Sequence, residues 1–236
     1  MKNKNKIISI IVIAVFAILH SCFDNSSKYK VKQATIAPLI DGNIDKIWQS
    51  AVVDTIYKSI IGAEKRKDNN DFSIRFRSLW DKSGIYFLFE IKDDIKLNIP
   101  EMAWYQDDLI QLFFSRCLKK TNRDNTQPGD LLQYSFVYGN DTMLINGNVN
   151  SQTKIEFKRK DCYDGYVLEI KIPWNELKVA PEKGLKIPFN YEAVDLDEKI
   201  SEEGILGVPK TFIGWAPNTA NRSWTQTKFY GDLELY

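Results

Sequence analysis

Apolar and polar residues alternate with a period of two along much of this chain, and turn-forming clusters interrupt the alternation. In FSIRFRSLW (72–80), Phe72, Ile74, Phe76 and Trp80 are separated by Ser73, Arg75 and Arg77, as in a strand with one buried face. The turn-like DKSG leads into IYFLFEIKD (85–93), where Ile85 to Phe89 are continuously apolar, so this strand is expected to be buried on both faces. Further strands are predicted in DLIQLFFS (108–115), LLQYSFVYG (131–139), TKIEFKRK (153–160), GYVLEIKIPW (165–174), KIPFNYEAVDL (186–196) and KFYGDLELY (228–236). Helical periodicity is confined to two short pieces. NIDKIWQSA (43–51) places Ile44, Ile47, Trp48 and Ala51 on one face, and PWNEL (173–177) opens with Pro at a first helical position. The pattern predicts an all-β fold, a single antiparallel β-sandwich of jelly-roll type with one or two short helices, over residues 35–236. The polar segments 119–130 and 201–209 are expected to be long loops, the usual carriers of binding residues on a rigid sandwich.

The N-terminus reads as an address. MKNKNK is a basic leader and Ile7 to Leu19 an apolar run too short to span a bilayer, so residues 1–21 form a signal peptide. The run ends in Leu19-His20-Ser21-Cys22, which resembles the lipobox of bacterial lipoproteins, in which the chain is cut before the cysteine and lipid is attached to it. Residues 22–34 then read as a tether, and the expected location is the bacterial cell envelope, lipid-anchored at Cys22, in the outer membrane. Cys117 and Cys162 remain, either as a disulfide or, by default, as two separate half-buried thiols.

Charge and histidine narrow the chemistry. The chain has 32 basic and 31 acidic residues, and without the three leader lysines the balance is slightly acidic, which argues against nucleic acid as a partner. The single histidine, His20, lies in the leader, so imidazole catalysis and histidine metal ligation are not available to the mature chain. No GxSxG, HExxH or glycine-rich phosphate loop is present. Asp93, Asp94, Asp107, Asp108, Glu169, Asp195 and Asp197 stand at several strand ends and are candidates for a glycosidase carboxylate pair, with solvated loop carboxylates or calcium ligands as the plainer reading.

The six tryptophans fall into two groups. Trp48, Trp80 and Trp174 sit in patterns that place them inside. Trp104 in PEMAWYQDD, and Trp215 and Trp224 at the ends of WAPNTANRSW, stand in polar surroundings, where an indole either plugs the end of the sandwich or faces a ligand. A small-ligand site is built from one or two aromatic faces and a few fixed polar groups; Trp104 and Trp224 are the candidate faces, and Gln111, Asn218, Asn221 and Arg222 the candidate polar ring.

Five blocks, in order, are similar to family 9 carbohydrate-binding modules: PLIDGNIDKIWQSA, LWDKSGIYFLFEIKDD, WYQDDLIQLFF, GYVLEIKIPW and FYGDLEL. The resemblance implies a β-sandwich that grips a sugar between loop tryptophans, here Trp104, Trp224 and Trp215, often with structural calcium, and it implies no other cofactor. Two positions depart from the pattern. Gln111 replaces a glutamate and Ser115 an aspartate, which removes charge where a charge-assisted hydrogen bond would be stronger. The expected function is that of a non-catalytic carbohydrate-binding lipoprotein, with a carbohydrate partner and membrane contact through the lipid. Two alternatives are a haem-binding or electron-transfer sandwich, for which only Met102, Met143 and lysines offer ligands, and a protein-interaction lipoprotein that has lost its sugar site.

Overall fold

The computed structural model describes residues 27–56, 59–101, 103–120, 131–150, 152–198, 211–216 and 223–236. Among them are fourteen strands: β1 (Lys28–Gln33), β2 (Asp54–Ile56), β3 (Ser59–Ile61), β4 (Phe72–Trp80), β5 (Gly84–Asp93), β6 (Leu109–Ser115), β7 (Leu131–Val137), β8 (Leu144–Ile145), β9 (Asn148–Val149), β10 (Glu156–Cys162), β11 (Gly165–Pro173), β12 (Lys186–Asp195), β13 (Thr211–Gly214) and β14 (Gly231–Leu235). They pair in the order β10-β11-β5-β4-β1-β14-β12-β6-β7-β8-β9, with β2 on β4, β13 on β12 and β3 on β13. One layer is built on β4, β5 and β11 and the other on β12, β6 and β7, and β1 joins them.

Between the layers lies an aromatic core. Phe87 of β5 stacks on Phe189 of β12, ring centroids 5.4 Å apart at 14°, and Phe89 meets Tyr191 edge to face at 5.1 Å. Phe76, Ile74, Leu168, Ile170, Ile110, Leu112, Phe114 and Tyr134 complete it, each at the inward position of its strand. Period-two patterning therefore located the core correctly, and the strand over 72–80 has the bounds that the sequence predicts.

A second, smaller core lies on the outer face of β4 and β5. There Trp48, Ala51, Leu79, Tyr86 and Leu88 are buried together, with Ile40 and Ile47 packed against them. The segment 38–51 covers this face, and one carboxylate holds it. Glu169 of β11 accepts the indole N–H of Trp48 (2.9 Å) through one oxygen and the backbone N–H groups of Gly42 (2.8 Å) and Asp41 (3.2 Å) through the other. Gly42 adopts φ +84°, and a Cβ there would stand 2.8 Å from that of Lys160, so the tight approach of this loop requires glycine.

Several expectations need correction. The tether does not extend to residue 34: β1 occupies Lys28–Gln33, with Tyr29 and Val31 in the core. Its lysines at every second position mark the solvent face of a strand, the same period-two signal as elsewhere. Its pairings with β14 and β4 are both parallel, so the sandwich is antiparallel except at the strand that joins its layers. The two helices exist but are short, a 3-10 turn at Lys46–Ser50 and one α turn at Trp174–Leu177, with Pro173 ending β11 just before it. Cys117 and Cys162 are both free and exposed rather than half-buried. The predicted loop over 201–209 and most of that over 119–130 lie outside the described residues.

Candidate functional site

The outward face of the β7-β6-β12 layer is not a solvent face. Cross-strand register arranges it in three rows: Val137, Leu109 and Val194; then Ser135, Gln111 and Glu192; then Gln133, Phe113 and Asn190. Rows two residues apart are about 6.6 Å from one another at 3.3 Å rise per residue. The first row is apolar, and Trp104 packs over it with Leu144 and Phe212. Trp104 belongs to a 3-10 turn, Trp104–Gln106, and its ring is backed by the hairpin between β8 and β9, where a Cβ on Gly147 would come within 3.3 Å of the indole. At the third row Tyr230 approaches Phe113, and the Asn190 amide donates to the Ser223 hydroxyl (2.8 Å) and accepts the backbone N–H of Ala216 (2.8 Å). The Tyr230 hydroxyl donates to the Ser223 carbonyl (2.6 Å), which fixes the residue next to Trp224. Trp224 itself is 59% exposed.

The middle row is therefore a polar floor between two tryptophan-bearing segments. Gln111, 7% exposed, donates to the Ser135 hydroxyl at 3.3 Å, and Glu192, 1% exposed, stands directly across from it on β12. A carboxylate on β12 thus accompanies the amide on β6, at the floor where the sequence comparison marked a lost charge. Glu192, Asn190 and Ser135 were missed in the sequence. The signal was present in KIPFNYEAVDL, where Asn190 and Glu192 interrupt a buried strand at alternate positions.

The proposed site residues fare unequally. Trp104 and Gln111 are brought to the same face, and Trp224 directly follows Ser223, which is bonded to Asn190 of that face. Trp215 is not on it: it is 8% exposed, packs in the central core against Phe189, and donates its indole N–H to Asp54 at 2.9 Å. It sits at the inward position after β13, so alternation turns it away from the floor. Asn218, Asn221 and Arg222 lie outside the described residues. Met143 is buried in the core, where its thioether packs against side chains, and Met102 lies outside the described residues.

Carboxylates gather where β5 and β12 end and β6 begins. Asp93, Asp108 and Asp195 are fully buried with ligand oxygens within 4.8 Å of one another, and Asp71, Asp94 and Asp197 extend the group. Asp108 accepts the backbone N–H of Leu196 at 2.6 Å and that of Leu97, and Asp107 accepts that of Ile99 at 2.9 Å. One oxygen of Asp93 accepts the N–H of Ile95, while its second is buried without a partner. Burial first, and then the neighbouring carboxylates, push Asp93 up to about 7 and Asp108 up to about 9. Three buried carboxylates with an orphaned oxygen among them fit a hard cation of the calcium kind, and the absence of Cys and His from the group disfavours softer metals.

A β-sandwich whose outward sheet face is a polar floor between aromatic segments has the architecture of a ligand-binding module, with no deep enclosed cleft required. The family model described as "Carbohydrate family 9 binding domain-like" matches residues 40–236, and the chain belongs to that family. The chain is 29% identical over 199 residues to endo-1,4-beta-xylanase A of Thermotoga neapolitana, covering 84% of this chain and only 17% of that enzyme. A family 9 module from Caldicellulosiruptor kristjanssonii in complex with cellotriose superposes with a TM-score of 0.69 at 20% identity, covering 89% of this chain and 93% of that one. A family 9 module from the same organism in complex with glucose gives 0.66 at 20% identity, covering 88% of this chain and 95% of that one. These likenesses carry the fold alone.

Proposed function

We propose that this protein is a non-catalytic, carbohydrate-binding lipoprotein of the bacterial cell envelope. The observation that carries the reading is the row Ser135, Gln111 and Glu192, set between the segments that bear Trp104 and Trp224. Those segments stand over rows about 13 Å apart along the strands, room for one saccharide ring with stacking contact of about 4 Å on either side. The carboxylate, amides and hydroxyls of the floor bond sugar hydroxyls, which both donate and accept, and the indoles cover the apolar C–H face of the ring. Asn218, Asn221 and Arg222, on the segment that leads to Trp224, are proposed to complete the polar ring. Cellotriose is the first probe, since a family member of the same fold is described in complex with it. Stacking on one aromatic ring is worth about 1–3 kcal/mol, so Trp224→Ala is expected to weaken cellotriose binding about 5- to 150-fold in calorimetry, with the melting temperature unchanged. Full affinity in the variant would remove the site from this face.

The same reading leaves the carboxylates without a catalytic role. Glu169 is committed to three donors in the fold, and Asp107 and Asp108 to backbone N–H groups. Sugar release from a polysaccharide panel, abolished by changing one of these acids, would overturn it. Anchoring rests on Cys22, so Cys22→Ser is expected to abolish incorporation of labelled fatty acid in a bacterial host, and continued labelling would refute the anchor. We further propose that Asp93, Asp108 and Asp195 hold a structural calcium ion, whose charge would offset the repulsion of the buried carboxylates. A melting temperature unaffected by chelator would exclude a tight ion.

A further inference from the structure

The carboxylate cluster and the polar floor share one strand. Asp107 and Asp108 immediately precede β6, which carries Gln111, and follow directly on the 3-10 turn that carries Trp104. The bond from the Ile99 N–H to the Asp107 carboxylate closes the segment 99–107 into a small loop with Trp104 on it. The other end of that loop is clamped from two sides. Asp108 accepts the Leu97 N–H, the Asn98 amide donates to the Tyr138 carbonyl at 2.6 Å, and the Tyr138 N–H donates to the Asp108 carbonyl at 2.7 Å. A Cβ on Gly139 would meet Asn98 at 3.0 Å, so these segments are in close contact. The second oxygen of Asp108 accepts the Leu196 N–H, between Asp195 and Asp197 of the cluster. The position of Trp104 is thus set by carboxylates that are themselves part of, or next to, the acidic cluster.

We propose that cation binding at Asp93, Asp108 and Asp195 and saccharide binding on the Gln111 floor are coupled through Asp107 and Asp108. The proposal rests on both the sugar and the calcium readings above. With a cation in place, the carboxylates stay together, each oxygen having lone pairs enough to accept an N–H and coordinate the ion. Without it nothing bridges carboxylate oxygens that lie within 4.8 Å of one another, and the residues free to move are those that clamp Leu97, Ile99 and Leu196. The loop that carries Trp104 then loses its fixed entry and exit. The saccharide has to order that loop before it can stack, and its affinity falls by the cost of doing so. Coupling is reciprocal, so a bound saccharide raises cation affinity by the same factor. Asp107 and Asp108 act here as positioning residues and do not themselves touch the sugar.

The test uses the full chain in detergent, depleted with chelator and then reloaded with calcium chloride. Calorimetry with cellotriose is expected to show affinity about tenfold higher in the calcium form, within the range of such couplings. Calcium affinity is expected to rise about tenfold when cellotriose is saturating. Asp93→Asn, which keeps the side-chain shape and leaves the clamping bonds of Asp107 and Asp108 intact, is expected to bind cellotriose equally with and without calcium, at the level of the depleted wild type; Asp195→Asn serves if that variant fails to fold. A second readout does not depend on the sugar: calcium is expected to change the tryptophan emission of the wild type and to leave Trp104→Phe unchanged. If calcium raises the melting temperature yet neither cellotriose affinity nor Trp104 emission responds, the coupling is wrong while the sugar site stands. If calcium changes neither stability nor emission, the cation reading fails and the coupling with it. If Trp104 emission responds but cellotriose binds neither form, the saccharide half of the coupling falls with the sugar reading.

Discussion

Replacing Glu169 by glutamine tests how the fold is closed on the face opposite the proposed site. In the native chain three N–H groups converge on the carboxylate, the Trp48 indole on one oxygen and Asp41 and Gly42 on the other. A glutamine offers one oxygen. With that oxygen turned to the two backbone donors, its NH2 group faces the indole N–H, and two donors meet with no acceptor between them. A lost bond to a charged group is worth about 1.5–3 kcal/mol, and a buried donor left unsatisfied about 1–3 kcal/mol. These costs overlap, and neutralising the side chain relieves part of the burial that raises the carboxyl pKa of Glu169. A net loss of about 2–3 kcal/mol is the expected result, or a fall in melting temperature of about 4–12 °C for a domain of this size. Denaturant unfolding followed by circular dichroism measures it. Trp48→Phe removes the other end of the same bond, so the double variant is expected to be less destabilised than the sum of the two singles by about 1 kcal/mol. Cellotriose affinity is expected to stay within twofold, because Glu169 and Gln111 are on different layers. A Glu169→Gln protein that melts within 1 °C of the wild type, or one with additive losses in the cycle, would show that this carboxylate does not hold the 38–51 segment.

Three further outcomes follow from the geometry. In chelator the stability of the protein is expected to fall as pH rises from about 4 to about 9, because Asp93 and Asp108 titrate near 3.8 when unfolded but at about 7 and about 9 when folded, so the native state holds the extra protons; calcium is expected to flatten or reverse that slope, and urea titrations across the range check it. Gly165→Ala is expected to abolish stable folding or cost more than about 3 kcal/mol, since the residue has φ +148° and a Cβ would lie 1.9 Å from the Ile91 carbonyl oxygen, which soluble expression and thermal melts would show. Trp215→Phe is expected to lower the melting temperature through the lost bond to Asp54 while cellotriose affinity stays within twofold, and a selective loss of binding would return Trp215 to the sugar site.

The sequence by itself determined the all-β class, the place of its long strands and the inward set of their side chains, because a strand buried on one face cannot slip by one residue without turning its apolar set to water; it missed some bounds, since the strand expected over 153–160 lies at Glu156–Cys162 and that expected over 228–236 is strand only at Gly231–Leu235. It also determined which tryptophans are interior where a periodic pattern surrounds them, as for Trp48 and Trp80. Tertiary structure decided what local pattern does not encode. Whether Trp215 faces the core or the solvent depends on the register of β13 against β12, and that register is set by partners far along the chain. KYKVKQ carries the alternation of an edge or a tether equally well, and becomes the strand between the layers only because β14 and β4 both present open edges to it. The floor of Ser135, Gln111 and Glu192 and the cluster of Asp93, Asp108 and Asp195 each draw on three strands. No spacing along the chain marks such groups, since the sheet brings together side chains whose separation in sequence is set by the lengths of the intervening loops and strands.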